Sequence, residues 1–226
     1  MPKLHQVFVG CPFDPAIRRN YDKLKKELED ETPLHVVLAD TAAISSTDYL
    51  LEHITDLIRD SACCIFDVTG GNANVSLEVG IAHALPAQSL LTLRTRKPRA
   101  QKEAEGTLQR AGEVKAIISD LQGRNRIEYK TYPTLKDEVL SRYLNKLPYM
   151  KRWTDYQSGH SSHVKHALSV FQTLRESGRT LRPRVIAMLD GTGIHADDLL
   201  KGLASAKLLT VRRGGGGAGG IYYPAK

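Results

Sequence analysis

Apolar and polar positions along the first 147 residues follow two alternating rhythms. Short apolar runs of strand length occur at residues 6–10 (QVFVG), 34–38 (LHVVL), 63–67 (CCIFD), 89–93 (SLLTL) and 114–118. Between the first two, Ile17, Tyr21, Leu24 and Leu28 repeat at helical spacing, with Lys23, Lys25 and Lys26 mainly on the other face. Residues 48–60 carry Leu50, Ile54, Leu57 and Ile58 on a second helix, and a third helix begins near Val75. The alternation predicts an α/β domain over residues 1–147 with a mostly parallel five-stranded sheet, because parallel strands need helical crossovers. Residues 94–112, rich in Lys, Arg, Gln and Glu, read as a mobile excursion or a short exposed helix. Residues 129–132 then lead to a closing helix over 134–147, with Leu135, Val139, Tyr143 and Leu147 on one stripe.

Residues 148–160, which hold the single tryptophan Trp153, read as a linker. Helices are expected over 162–177, 183–189 and 196–206, followed by a hairpin of residues 208–213 and 221–224 with a glycine-rich tip. Three helices and a hairpin are the layout of a winged-helix-like α+β domain, here 161–226, in which the third helix enters a nucleic-acid groove and the hairpin is the wing. No Gly-Lys-Ser/Thr follows the glycine run, so it carries no phosphate-loop signature.

Composition narrows the class. With 226 residues, 41% hydrophobic and 25% charged, and a mean hydropathy of -0.32, the chain is expected to be a soluble globular protein. No apolar stretch approaches the roughly 20 residues that cross a bilayer, and no signal peptide precedes the first strand, so no membrane association is expected. Cys11, Cys63 and Cys64 are an odd count, and an adjacent pair on a strand points to opposite faces. No disulfide framework is expected, and the compartment reads as cytoplasmic.

Charge is unevenly distributed. Residues 1–150 carry 20 Lys and Arg against 20 Asp and Glu, whereas residues 151–226 carry 12 against 5. The excess points to a basic module that meets DNA or a protein partner, with a solubility surface as the equal rival. Arg182, Arg184, Lys201, Lys207, Arg212 and Arg213 are the candidate phosphate contacts, while Asp197 and Asp198 on the third helix oppose DNA.

In open α/β sheets the ligand crevice lies at the carboxyl ends of the strands. The loops to inspect are therefore 11–14, Asp40-Thr41, and 67–78. In the last, Asn72, Asn74, Val75, Glu78, Gly80 and Ala82 place a carboxylate in a first helical turn, with small residues behind it for close packing. Exposed amides there favour an anionic group, and the helix dipole alone would also favour Glu78 at that position. Asp67 at a strand end reads equally as a brace, Phe13 as a plug for the sheet edge, and Cys63 and Cys64 as packing. His83 falls on another helix face. His160, His163 and His166 have helical spacing without an accompanying Cys or carboxylate, so no metal site is expected.

VFVGCPFDP with Arg18 after the first strand, and FDVTGGNANVSLEVGIAHAL after the third, resemble the nucleoside 2-deoxyribosyltransferase and bacterial Toll/interleukin-receptor-like (TIR-like) superfamily over residues 6–147. Asp120-Leu121-Gln122-Gly123-Arg124 followed by Ile127-Glu128-Tyr129 is similar to a late segment of the TIR-like members. The resemblance implies a flavodoxin-like domain that breaks an N-glycosidic bond in a nucleoside, a nucleotide or NAD, with NAD, where it enters, as a substrate and not a cofactor, and no cofactor required. It implies that Glu78 attacks the anomeric carbon or stabilises the charge developing there, the solution glycosidases use. Asp67, Asn72 and Asn74 would then meet sugar hydroxyls, Phe13 stack on a base, Asp14 bond its edge, and Arg18 or Arg19 hold a phosphate. Bacterial TIR-like relatives deplete NAD in defence against phage, which the resemblance extends to this chain, along with assembly as a homo-oligomer. The rival reading is a regulator that senses a nucleotide without catalysis and binds DNA through its C-terminal module.

Overall fold

A computed structural model describes residues 2–39, 47–95, 126–212 and 220–225. Five strands, β1 (Lys3–Gly10), β2 (His35–Leu38), β3 (Ser61–Asp67), β4 (Ser89–Arg94) and β5 (Arg126–Tyr129), form one sheet in the order β2-β1-β3-β4-β5. Every pairing is parallel, with Val7 opposite both Val36 and Cys63, and Leu91 opposite Arg126. This order is that of the flavodoxin-like fold, whose topological switch point lies between β1 and β3. Residues 40–41, the expected strand at 114–118, nearly all of the 94–112 excursion and the 120–124 segment lie outside the described residues. Within them the fifth strand is Arg126–Tyr129, C-terminal to the expected position.

Helices α1 (Pro15–Glu31), α2 (Thr47–Asp60), α3 (Ala73–Ala84) and α4 (Tyr132–Arg142) flank the sheet. Period-two alternation along β3 sends Cys63 and Ile65 to one face and Cys64 and Phe66 to the other. The two sides bury different neighbours. Cys64, Phe66 and Phe8 pack with Ile58 of α2 and with Val75, Val79 and Ala82 of α3. Cys63, Ile65, Val7 and Val9 pack with Ile17, Tyr21, Leu24 and Leu28 of α1, and with Leu135 and Val139 of α4. The expected stripe on the closing helix is interrupted: α4 stops at Arg142, and Leu144 and Leu147 reach the core from a short 3-10 turn and its exit.

The expected linker is instead a helix, α5 (Pro148–Gly159), with Pro148 at its first turn. Tyr149, Met150, Trp153 and Tyr156 recur along one face and are all buried, Trp153 stacking on Tyr156 and meeting Phe171 edge-on. It is followed by α6 (Val164–Ser177), β6 (Thr180–Leu181), α7 (Arg182–Leu189), α8 (Ala196–Ser205), β7 (Leu209–Arg212) and β8 (Ile221–Pro224). The expected order of three helices and a hairpin is present, and β6 adds a third strand to make an antiparallel sheet in the order β6-β8-β7.

One apolar cluster runs without interruption from Val7 of β1 through Trp153 to Leu203 and Ala225. Polar ties reinforce it. The Arg175 guanidinium of α6 donates to the carbonyls of Leu34 and Glu29, and the Tyr149 hydroxyl donates to the Leu208 carbonyl. None of the described helices is long and apolar enough to cross a membrane.

Because Trp153 is 1% exposed at the centre of the shared cluster, Trp153→Ala should cost about 3–5 kcal/mol. Urea denaturation followed by circular dichroism checks this. A loss below about 1 kcal/mol would show that α5 is peripheral.

Candidate functional site

Strand β1 ends at Gly10 and β3 at Asp67, on either side of the switch point. After β3 the chain makes a 3-10 turn, Thr69–Gly71, in which Gly70 sits at φ 75 and Gly71 at φ 61, a region where glycine is at ease. Asn72 then caps α3, its side-chain oxygen accepting from the N–H groups of Asn74 and Val75. The cap starts the helix at Ala73, two residues before the position expected from the sequence. Glu78 is consequently the sixth residue of α3, in its second turn, and the first turn holds no acidic residue. The dipole explanation for Glu78 loses its geometric basis, since that effect is confined to the first turn.

Glu78 is 6% exposed, and among the described residues its Oε2 has no hydrogen-bond partner. The carboxyl lies against the end of β1 so closely that a Cβ added at Gly10 would fall 2.0 Å from Oε2 and 2.9 Å from the Phe66 ring. Burial pushes the Glu78 carboxyl up to about 7. A buried carboxyl left without a partner is expensive, and such groups concentrate at functional sites.

Asp67 receives the opposite treatment. It is fully buried, Oδ2 accepting from the Tyr129 hydroxyl at 2.5 Å and Oδ1 from the Thr69 N–H at 2.9 Å. Beside it the Thr92 hydroxyl donates to the Phe66 carbonyl, which leaves Tyr21 as the donor in the 2.6 Å hydrogen bond between the Tyr21 and Thr92 hydroxyls. The Thr69 hydroxyl accepts from the Arg94 N–H, and Arg94 reaches the Ala16 carbonyl at the start of α1. Asp67 thus ties β3, β5 and the loop that leads to Glu78.

The remaining expected residues are placed as follows. Asp14 caps α1, its Oδ1 accepting from Ala16 and Ile17 N–H groups. Arg18 pairs with Asp22 at 3.0 Å and donates to the Ala39 carbonyl just beyond β2. Phe13 is 46% exposed, which removes the reading of a buried plug, and Asn74 is exposed. Gly10, Tyr129, Thr92 and Arg94 were not singled out by sequence reasoning. Gly10, immediately before Cys11-Pro12, carried the one available signal, whereas Tyr129 had been assigned to the approach of a helix. Cys11 and Cys64 are buried and their thiols are pushed up to about 12, so neither supplies a ready thiolate. Among the described residues no group of three His, Cys, Asp or Glu converges as metal ligands do.

The basic set of the C-terminal segment is spread over α7, α8 and β7. Arg182 is engaged bidentately by Asp197, Nε to Oδ1 at 2.6 Å and Nη2 to Oδ2 at 2.7 Å, so its charge is already matched. That pair joins the starts of α7 and α8. Arg184 and Lys201 are exposed, Lys207 follows α8, Arg212 lies over the Tyr223 ring at 5.2 Å, and Arg213 lies outside the described residues.

No protein-family model matches this chain. No curated protein matches it. Among solved structures it is similar to the 2-desoxiribosyltransferase from Leishmania mexicana, at 13% identity and a TM-score of 0.44 over 62% of this chain and 99% of that one.

Two predictions follow from the packing around Glu78. Its carboxyl sits near 7 when folded against a reference of 4.5. Between those values the folded chain holds a proton that the unfolded chain has released, so this group lowers stability as pH rises through that window. Glu78→Gln should remove the dependence and stabilise the chain above pH 7 by up to about 3 kcal/mol, as urea titrations at several pH values would show; a variant gaining nothing at pH 8 contradicts this. Gly10→Ala should displace the Glu78 carboxyl and cost about 1–3 kcal/mol, read as a lower urea midpoint.

Proposed function

We propose that this chain cleaves an N-glycosidic bond in a nucleoside, a nucleotide or NAD, with Glu78 acting at the anomeric carbon. The observation that carries the reading is the buried Glu78 carboxyl, with Oε2 unpartnered, pressed against Gly10 beside the switch point of a parallel sheet. In this reading the C1′–N bond breaks and its electron pair leaves with the base nitrogen; a pyridinium base departs neutral, whereas a purine or pyrimidine takes up a proton from solvent. Ionised Glu78 forms an ester with C1′ or balances the positive charge that develops there. Water, or the nitrogen of a second base, then attacks C1′ and returns the carboxylate. A carboxylate held in an apolar setting is poorly solvated and correspondingly basic, which suits it to meet a cationic carbon.

The other residues support Glu78. Asp67, engaged by Tyr129 and Thr69, braces the loop before α3, and Asn72 sets where that helix begins. The exposed Phe13 ring is the surface on which a base would stack, and Arg18 is the cation nearest in sequence to that loop. If NAD is the molecule cleaved, its depletion is the chemistry of a phage-defence effector.

The test is to incubate the full chain with NAD, deoxynucleosides and nucleoside monophosphates and to follow released base by chromatography. Glu78→Gln should reduce release at least about 100-fold. The wild-type rate should rise with pH through about 7 as Glu78 ionises. Equal turnover by Glu78→Gln would exclude this mechanism. Nucleotide binding with no release by wild type would favour the regulator.

A further inference from the structure

Three open grooves differ in the charge that lines them. The groove between α1 and α6, about 500 Å³, sets Lys25, Lys26 and Arg175 among the carboxylates of Asp22, Glu29, Asp30 and Glu176. The groove between α5 and α8 sets Lys201 against Asp155 and Asp198. A third, about 450 Å³, lies where α5, the end of α8 and β7 meet, with Arg152, Lys207 and Thr210 as its polar side chains. Among the described residues no carboxylate lines it.

We propose that this third groove seats the sugar–phosphate backbone of a double-stranded nucleic acid. Its polar side chains are two cations and a hydroxyl, and among the described residues β7 is an edge strand of its sheet. Period-two alternation places Arg212 on the same face of β7 as Thr210, extending the positive surface along the strand. The whole net charge of the chain lies in residues 151–226. A polyanion with acceptors at regular intervals matches an open groove whose charged side chains are all basic and whose positive surface continues along a strand.

Lys207 supplies a second, independent observation. It is the first residue beyond the α8 cap and sits at φ 56, the left-handed position where helices usually place glycine. Its carbonyl accepts from the Arg152 guanidinium at 3.2 Å, which holds that guanidinium at the end of α8. A lysine in that conformation carries local backbone strain that a glycine would not. The structural rival is that a cation there complements the end of the α8 dipole.

This placement differs from recognition by the third helix. Helix α8 opens with Asp197 and Asp198, and Arg182 is consumed by Asp197. The groove instead draws on α5, and the inference stands apart from the Glu78 reading.

The experiment is a fluorescence-anisotropy titration of the full chain against a labelled mixed-sequence duplex of about two helical turns, repeated across salt. Wild type should bind with affinity that falls steeply as salt rises. Arg152→Ala and Lys207→Gly should each weaken binding several-fold and reduce the logarithmic salt slope by about 1. Lys207→Gly should also unfold at a temperature equal to or above wild type, since glycine relieves the strain; this separates a binding role from the dipole rival, which predicts a lower one. Lys201→Ala, Arg184→Ala and Glu78→Gln should bind as wild type does. Absent or salt-independent binding would overturn the proposal. So would equal losses from Lys201→Ala and Lys207→Gly, which would mean diffuse attraction, or displacement of the duplex by an equal charge of poly-L-glutamate.

Discussion

A carboxyl sealed at the end of a central strand must find its partners inside the protein, and Asp67 finds them on two different elements. Tyr129 of β5 donates to one oxygen and the Thr69 backbone to the other. An unpaired carboxyl there would cost several kcal/mol. The requirement therefore fixes where the β3 exit turns, where β5 docks against β4, and where Asn72 can begin α3. The neighbouring Tyr21–Thr92 hydrogen bond ties α1 to the same place.

Glu78 shows what the fold does with a second carboxyl a short distance along the chain. One of its oxygens is left without a partner among the described residues, and the space facing it exists because residue 10 has no side chain. Satisfying Asp67 and leaving a Glu78 oxygen wanting sets a bonded carboxyl beside an unbonded one. Stability surrendered at one group beside a satisfied one is a common signature of function.

The two sides of the sheet have unequal work. Among the described residues one is covered by α2 and α3, and α3 is the helix that carries Glu78. The other is covered by α1 and α4 and continues without a break into α5 and the helices beyond it. The C-terminal segment is thus joined to the side of the sheet away from α3. Arg175 strengthens that joint by spending its guanidinium on the Leu34 and Glu29 carbonyls rather than on solvent.

Much of this was readable in the chain. The strand and helix periodicities, the division of Cys63 from Cys64, and the interest of the loop between Asp67 and Glu78 follow from local pattern, because burial on one face imposes its period on the sequence. The α5 helix was missed because Pro148, Lys151 and Arg152 look like linker chemistry while its apolar face means something only against Phe171. The first residue of α3 depended on a side-chain cap that Val75, the first large apolar position, concealed. Arg182 looked like a free cation because Asp197 is fifteen residues away in sequence and a hydrogen bond away in space. The absence of a partner for Glu78, the room at Gly10 and the Arg152–Lys207 contact were decided by tertiary structure alone. They are relations between distant segments, and periodicity reports only a residue's own element.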